Sequence, residues 1–385
     1  SQSCMSAVSE AQCSDIPENE VWRSLRPLMS RLRHVRVGGL HILEQLMAEH
    51  YDPTQATIDS EGWHSHPQNP SHTDDSVADW LFVIDTLNFG FWHDDNSPVR
   101  VERDGVAYRG YWALCATVNN ALDQGVPMCD WESLSSPSGI PDSTLVSLFT
   151  DMDGRPWPLQ AERIHALREL GAFLSSSGGT RSVIESCHND ALSLVSTLTT
   201  HLSSFRDSCA CPGSLSLSPS GTEAVPPYPS ASTPESVVTD TLAPTEVEEG
   251  VTLTFNKRAQ ILVAELAAAF DCKDLGAFHN LHSITMFADY RVPQMLAHLG
   301  VIEYSPALLA WLEKGGDVIP GSVVECEMRA ASIGAVQEVA AKTGISPAAI
   351  DFYLWDACKR EQNPSNSALY AGLKVPMHRC RTIFY

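Results

Sequence analysis

Apolar residues recur at spacings of three and four along most of the chain, which is the pattern of a helix with one buried face. The pattern predicts helices at residues 20–50, 111–122, 159–174, 181–202, 255–270, 292–299, 306–313, 328–342 and 347–359. The alternation typical of strands is confined to 98–109 and 250–255. The sequence therefore predicts a mainly α fold with few short strands.

The length and the charge of the chain limit the kind of ligand it can bind. Its 385 residues are enough for a large core with an enclosed pocket. Acidic residues outnumber basic ones by 47 to 25, and the resulting net charge of -22 repels nucleic-acid backbones at long range. No nucleic-acid partner is therefore expected. A small phosphorylated ligand stays compatible, because a few basic side chains can reverse the sign inside one pocket.

The cysteines and the apolar runs indicate the compartment. Eleven cysteines are scattered from Cys4 to Cys380 without the spacing of a disulfide framework or of a zinc site, so we expect reduced thiols and no structural metal. The most apolar run, residues 261–270, is well short of the roughly 20 residues that span a bilayer, and the first residues lack a signal-peptide pattern. We expect an intracellular protein, cytoplasmic or nuclear, without a membrane partner.

The composition changes at residues 208–250, where Ser, Pro, Thr and Glu dominate and Lys and Arg are absent. Such a stretch cannot bury enough apolar area to offset the entropy lost on ordering. We expect a disordered insertion at 208–250 that interrupts a single domain spanning 16–385. A disordered N-terminus is expected at 1–15.

The segment SITMFADYRVPQMLAHLGV, residues 283–301, contains a candidate catalytic carboxylate. Asp289 stands between Phe287 and Tyr290, and Pro293 can open a helix in its first turn. The helix dipole and the adjacent Arg291 would keep this carboxylate ionised, as a base or a group that stabilises a cation requires. Capping the helix is the commoner role for such a residue and remains the alternative.

Other polar residues in apolar segments are open to two interpretations. Lys257 stands at a helix start, where lysine is usually solvated, and Glu265 lies on an apolar helix, where it usually pairs with another side chain. Asp85 and Asn88 interrupt the apolar run WLFVIDTLNFGFW, and they need partners or a ligand because an unpaired buried polar group costs about 1–3 kcal/mol.

The cluster WHSHPQNPSH, residues 63–72, contains three histidines among turn residues. Their spacing fits no metal-binding motif strongly, so a metal-free binding loop and a surface loop are both compatible with it. The GxSxG, HExxH and phosphate-loop motifs are absent from the sequence, so the commoner hydrolase and kinase mechanisms are not predicted.

Seven blocks of the sequence, in this order, resemble successive blocks of the queuosine 5'-phosphate N-glycosylase family, the queuosine salvage proteins. They are ADWLFVIDTLNFGFW, YRGYWALCATVNNALDQGVP, FNKRAQILVAEL, SITMFADYRVPQMLAHLGV, MRAASI, IDFYLWD and HRCRTIFY. The resemblance covers about residues 15–385 without the 208–250 insertion. Seven collinear blocks rich in aromatic residues are far more specific than one short motif.

The resemblance implies a fold akin to the helical DNA glycosylases and hydrolysis of queuosine 5'-monophosphate to queuine and ribose 5-phosphate, without metal or other cofactor. By position in the blocks, the catalytic residues would be Asp289, which stabilises the cationic sugar or orients water, and Lys257, which contacts the phosphate or the sugar. The substrate-binding residues would be His66, Phe278, Asn280, Tyr290, Arg291, Gln294, Asp85 and Asn88. Relatives often have Asp at the position of Asn280, so the base contact there lacks a charge.

Elementary chemistry agrees with this reaction. Cleavage of a C1'–N bond builds positive charge on the ribose, so one ionised carboxylate beside the sugar is the minimal requirement, and aromatic side chains can stack the flat base.

Two other functions stay open from the sequence. One is a non-catalytic helical nucleotide-binding module, which the Asn280 departure suggests; the other is a glycosylase acting on a polynucleotide, which the net negative charge disfavours.

Overall fold

The computed structural model describes residues 19–51, 60–210, 252–361 and 373–385, and it is mainly α-helical as predicted. The helices are α1 (Glu20–Leu25), α2 (Leu40–His50), α3 (Ser60–Ser65), α4 (Asp75–Leu87), α5 (Tyr111–Asp123), α6 (Trp131–Leu134), α7 (Asp142–Leu148), α8 (Gln160–Ser177), α9 (Gly179–Ser186), α10 (Ala191–His201), α11 (Lys257–Ala269), α12 (Arg291–His298), α13 (Pro306–Glu313), α14 (Val323–Thr343) and α15 (Pro347–Glu361). Short 3-10 helices occur at Arg26–Arg31, Ser203–Phe205, Asp274–Gly276 and Leu281–Ser283.

The strands are short and form two-stranded pairs. They are β1 (Val35–Val37), β2 (Arg100–Arg103), β3 (Val106–Arg109), β4 (Ser208–Ala210), β5 (Thr252–Thr254), β6 (Ile302–Tyr304), β7 (Asp317–Val318) and β8 (Arg379–Cys380). β1 pairs with β6, β2 with β3 and β4 with β5, all antiparallel, and β7 pairs with β8 in parallel. Both predicted strand regions therefore contain strands, since β2 and β3 lie within 98–109 and β5 lies within 250–255.

Two of the predicted helices are wrong as single elements. Residues 20–50 divide into α1, a 3-10 turn, β1 and α2, because Pro27 has no backbone N–H to continue the first helix and Gly39 starts α2 from a positive φ of 26°. Residues 181–202 divide into α9 and α10, because His188 and Asn189 adopt φ values of 52° and 59°, outside the helical region. By contrast, α5, α12 and α13 begin and end within one residue of their predicted spans.

Ordered structure extends into the predicted insertion. Ser208–Ala210 forms β4 and pairs with Thr252–Thr254, so the boundary predicted at 208 is three residues too early. The rest of the predicted insertion, 211–250, lies outside the described residues, as does the predicted N-terminal segment 1–15.

The apolar side chains form two adjacent cores. The first core contains Leu81 of α4, Leu114 of α5, Leu170 of α8 and Leu262 of α11, with many neighbours. The second core is built mainly from α1, α2 and α12–α15, with Phe255 beside them. Among the helices of the described ranges, none has the length and apolar character needed to cross a membrane.

The segment before α12 lies at the boundary between the two cores. Phe287 and Tyr290 belong to the first core, whereas Met286 and Ala288 belong to the second. The segment is neither helix nor strand, and the Asp289 backbone N–H donates to the Phe287 carbonyl at 2.7 Å, which closes a tight turn at Ala288. The segment therefore presents Asp289, the residue between Ala288 and Tyr290, at the junction of the cores.

Candidate active site

A pocket opens at this junction, with about 1090 Å³ of empty space including its open mouth. Aromatic and apolar side chains form more than half of its lining, and a few carboxylates, one lysine and one histidine complete it. Such a wall with few convergent polar groups is the usual composition of a small-molecule site. Among the described residues, no group of three or more His, Cys, Asp or Glu side chains is arranged to hold a metal ion.

Asp289 lines the pocket at the start of α12. The residue is 7% exposed, and its Oδ1 accepts hydrogen bonds from the backbone N–H groups of Arg291 at 2.7 Å and Val292 at 2.9 Å. Asp289 therefore caps the helix, and the same side chain lines the pocket. Because the helix holds Oδ1, the carboxylate has a fixed orientation.

Lys257 is the first residue of α11 and lines the same pocket. Its backbone N–H donates to Asp207 Oδ2 at 3.2 Å, so a buried carboxylate caps this helix. Burial lowers the pKa of the Lys257 ammonium, whereas the charges of Asp289 and Asp85 raise it. The ammonium thus lies within electrostatic range of both carboxyl groups.

Two buried carboxyl groups that interact with each other, Glu265 and Asp85, lie at the pocket and behind Asn88, respectively. Glu265 of α11 accepts hydrogen bonds from the Tyr111 hydroxyl on both carboxyl oxygens, each at 3.0 Å. Asp85 is fully buried, and its Oδ1 accepts from Asn88 Nδ2 at 3.1 Å, whereas Oδ2 has no hydrogen-bond partner among the described residues. Burial raises the pKa of Asp85 to about 7, and burial together with the charge of Asp85 raises the pKa of Glu265 well above its usual value. Both carboxyl groups are therefore harder to ionise than an exposed carboxyl group.

Asp351 of α15 is a third buried carboxylate at the pocket. Its Oδ2 accepts from the backbone N–H of Phe287 at 2.9 Å, so it holds the segment that carries Asp289. Burial and the charge of Asp289 raise the pKa of Asp351 well above its usual value.

Aromatic rings form one wall of the pocket. His66 stacks on Trp112 with ring centroids 3.2 Å apart and planes 9° apart, and its Nδ1 accepts from the Gln68 backbone N–H at 3.2 Å. Trp112 in turn meets Trp355 edge-on at 6.1 Å. Flat, weakly polar faces of this kind suit a planar heterocycle.

Tyr290 contributes a second aromatic surface. Its ring meets Trp92 edge-on with centroids 4.3 Å apart, and both rings are at least nine-tenths buried. The pocket therefore has aromatic groups on more than one side.

A buried arginine behind the pocket links the two predicted catalytic residues. Arg329 of α14 donates from Nε to the Ala288 carbonyl at 2.9 Å and pairs with Asp207, the cap of α11. It also donates to Glu325 at 3.1 Å. The backbone positions of Asp289 and Lys257 are thus fixed by a single guanidinium.

Two further buried arginines hold the turn that follows α4. Arg163 of α8 donates to three backbone carbonyls and Arg258 of α11 to two more, all within residues 85–90. Burial lowers the pKa of Arg163 to about 9 and that of Arg258 to about 10. The turn carries Asn88, which lines the pocket, so these arginines hold the backbone of part of the pocket lining in place.

The structure brings most of the predicted site residues together. Five of them line the pocket: Asp289, Lys257, His66, Tyr290 and Asn88. Asp85 does not line the pocket, but its Oδ1 accepts a hydrogen bond from Asn88.

Five predicted substrate-binding residues are not among the pocket-lining residues of the described structure: Asp85, Phe278, Asn280, Arg291 and Gln294. Asn280 Oδ1 accepts from the Ala191 backbone N–H at 2.7 Å at the start of α10, and Gln294 donates to the Val375 carbonyl at 2.8 Å. Phe278 is buried in the first core, and the Arg291 side chain donates to Gln294 at 3.1 Å. Asn280 therefore has a structural contact at the start of α10 and is not part of the pocket lining.

Several pocket residues were not among the predicted site residues. The sequence leaves two interpretations of Glu265 and predicts no role for it in the site. It predicts no role for Asp351, Trp112, Trp355 or Tyr385 either. Each lies in one of the seven blocks that resemble the family, and this position is the one sequence signal that could have indicated a place in the site. Their place in the pocket depends on contacts between distant segments, which no local spacing reveals.

The comparisons with known proteins show which family the chain belongs to. Residues 66–215 and 244–385 match the family model described as the queuosine salvage protein, so the unmatched segment 216–243 falls within the predicted insertion. The chain is 32% identical over 340 residues to a Schizosaccharomyces pombe protein named queuosine 5'-phosphate N-glycosylase/hydrolase, covering 84% of this chain and 87% of that protein. Proteins of the same name match at 33% over 350 residues in Mus musculus (86% and 89% covered) and 36% over 318 residues in Sphaerobacter thermophilus (81% and 82% covered).

Proposed function

This chain belongs to the queuosine salvage protein family, and we propose that its pocket is the site where it hydrolyses the N-glycosidic bond of queuosine 5'-phosphate. The products are queuine and ribose 5-phosphate, and the protein is a hydrolase of N-glycosyl bonds. The main observation that supports this site is that Asp289 and Lys257 line the same aromatic-walled pocket.

In the proposed mechanism, Asp289 acts on the sugar. As the C1'–N bond lengthens, positive charge develops on the ribose, and a fixed carboxylate stabilises that charge more than it stabilises the neutral ground state. The two backbone hydrogen bonds to Oδ1 hold the carboxylate in place before the reaction begins. The same carboxylate can orient the water that attacks C1'.

Lys257 serves the 5'-phosphate or the adjacent sugar oxygens. It is the one lysine or arginine among the pocket-lining residues of the described structure, so it is the group best suited to a phosphate there. A local cation of this kind also explains how a chain with a net charge of -22 can bind an anionic nucleotide.

The base lies against the aromatic wall that includes Trp112 and His66. The ring pair places a flat surface at the pocket, and a planar 7-deazaguanine gains both apolar burial and stacking there.

A free mononucleotide is the proposed substrate, and no nucleic-acid partner is proposed. The overall negative charge opposes a polynucleotide, and a recessed pocket suits a small molecule. We also propose a cytoplasmic location, which the eleven unpatterned cysteines support.

The experiment that tests this function compares three substrates under one condition. The protein is incubated with queuosine 5'-phosphate, with queuosine and with tRNA that contains queuosine, and free queuine is measured by mass spectrometry. We expect release from the mononucleotide. Release from none of the three would indicate a binding module, and release from tRNA alone would assign the activity to a polynucleotide.

A further inference from the structure

Two of the eight cysteines in the described ranges have their sulfur atoms in contact. Cys209 of β4 and Cys326 of α14 are both free thiols, and their Sγ atoms are 3.4 Å apart although the two residues are 117 positions apart in the chain. An S–S bond is about 2.05 Å long, so the sulfurs need to approach each other by about 1.3 Å to form one. Tertiary packing therefore places two thiols where a small movement can join them.

The two thiols differ in their access to solvent. Cys209 is partly exposed, whereas Cys326 is buried. The hydrogen bond between the two sulfurs, together with burial, raises the pKa of the Cys326 thiol well above its usual value, so Cys326 stays protonated. A dissolved oxidant therefore reaches Cys209 first, and Cys326 is the thiol that reacts second.

We propose that Cys209 and Cys326 are a redox modification site, which hydrogen peroxide converts into a disulfide and a dithiol reductant restores. The Cys209 sulfur attacks one peroxide oxygen and the O–O bond breaks, which gives a sulfenic acid at Cys209 and one water. The Cys326 sulfur then attacks the Cys209 sulfur, the S–O bond breaks, and the hydroxide leaves with the Cys326 proton as a second water. The two sulfurs together supply the two electrons that reduce the peroxide.

The disulfide would join the two sides of the buried ion-pair network around Arg329. Asp207, two residues before Cys209, caps α11 and pairs with Arg329. Glu325, the residue before Cys326, pairs with the same guanidinium at 3.1 Å. The bond would therefore fasten β4 to α14 beside the network that holds the start of α11.

Oxidation should also stabilise the folded chain. A cross-link between residues that are far apart in the sequence restricts the unfolded chain much more than the folded one, where the two sulfurs are already neighbours. We expect the melting temperature of the oxidised protein to exceed that of the reduced protein by on the order of 5 °C.

The test treats the purified full chain with a few equivalents of hydrogen peroxide and then blocks the remaining thiols with iodoacetamide. Digestion without reductant and mass spectrometry identify the linked peptides, and the melting temperature is measured before and after oxidation. We expect a peptide pair joined through Cys209 and Cys326, which dithiothreitol separates while it returns the melting temperature to that of the reduced protein.

Cys209→Ser should lose both the linked peptide and the rise in melting temperature. The matched control is Cys211→Ser, which makes the same change two residues along the chain, at a cysteine outside the described residues. It should keep both effects, and it removes the neighbouring thiol that could otherwise be mistaken for Cys209 in the same peptide. The wild-type measurement needs no variant.

Absence of the linked peptide from oxidised wild-type protein would overturn the proposal. A bond from Cys209 to a different cysteine would overturn it as well, as would a rise in melting temperature that Cys209→Ser retains. The test measures neither substrate nor product, so its outcome is independent of the proposed hydrolysis.

Discussion

Replacing Asp289 by Asn separates the two roles that this side chain combines. Asn keeps an oxygen that can accept from the backbone N–H groups of Arg291 and Val292, now at 2.7 and 2.9 Å. Asn and Asp are nearly equal as helix caps, so the free energy of unfolding should change by less than about 1 kcal/mol. The charge beside the ribose is lost. Turnover should therefore fall while the fold is kept.

The expected loss of turnover follows from the position of the charge. One preorganised electrostatic group that acts only in the transition state contributes about 10²-fold to 10³-fold in turnover, or about 2.7–4 kcal/mol. Substrate affinity should change little, because the contacts to base and phosphate remain. Asp289→Ala loses the cap as well and should be less stable by about 0.5–2 kcal/mol.

The assay measures queuine release under saturating queuosine 5'-phosphate, with substrate binding by calorimetry and unfolding by denaturant titration for both variants. The Asp289→Asn and Asp289→Ala variants should have similarly low turnover but differ in their free energy of unfolding. Near-normal turnover in Asp289→Asn would refute the assignment of Asp289, and Asp85 and Glu265 would then be the next carboxylates to replace.

Three further outcomes are expected. Lys257→Ala should weaken the binding of queuosine 5'-phosphate by roughly 10-fold to 100-fold and that of the unphosphorylated nucleoside by less, because the lost interaction is a charge-assisted contact to phosphate; equal losses, measured by calorimetry, would contradict this. Because burial raises the folded-state pKa of Asp85 from 3.8 to about 7, the folded protein retains a proton that the unfolded chain loses, and this group makes stability fall as pH rises through that window. The melting temperature of Asp85→Asn relative to wild type should therefore be higher at about pH 8 than at about pH 5, and a constant difference would argue against the shift. Deleting residues 216–243 should leave queuine release and the melting temperature nearly unchanged, because Ala210 and Thr252 are paired neighbours and closure entropy varies slowly with loop length; a large loss of either would assign a role to that segment.

The secondary structure was predictable wherever a helix has one apolar face and clear ends. α13 has Pro306 at its first position and a Ser305 cap, and its predicted span is correct. The break between α9 and α10 was not predicted, because the apolar pattern continues across it. The break depends on positive φ values at His188 and Asn189, for which the sequence gives only weak signals.

The candidate site was predictable where a residue's chemistry stands out locally. Asp289 lies beside aromatic residues at a helix start, and the resemblance added Lys257. Asp351 gave no such signal, since its contact to the Phe287 backbone joins segments 64 residues apart. For Asn280 the sequence predicts a contact that the structure does not show. Its side chain could contact a base, but its Oδ1 accepts from the Ala191 backbone N–H at the start of α10.

The turn after α4 has a consequence for the order in which the protein assembles. The backbone carbonyls that Arg163 and Arg258 satisfy have these partners only after α8 and α11 have packed against α4. The native shape of the turn that carries Asn88 therefore depends on both helices, because buried carbonyls need these donors. Loosening either helix should disorder this part of the pocket lining together with the first core.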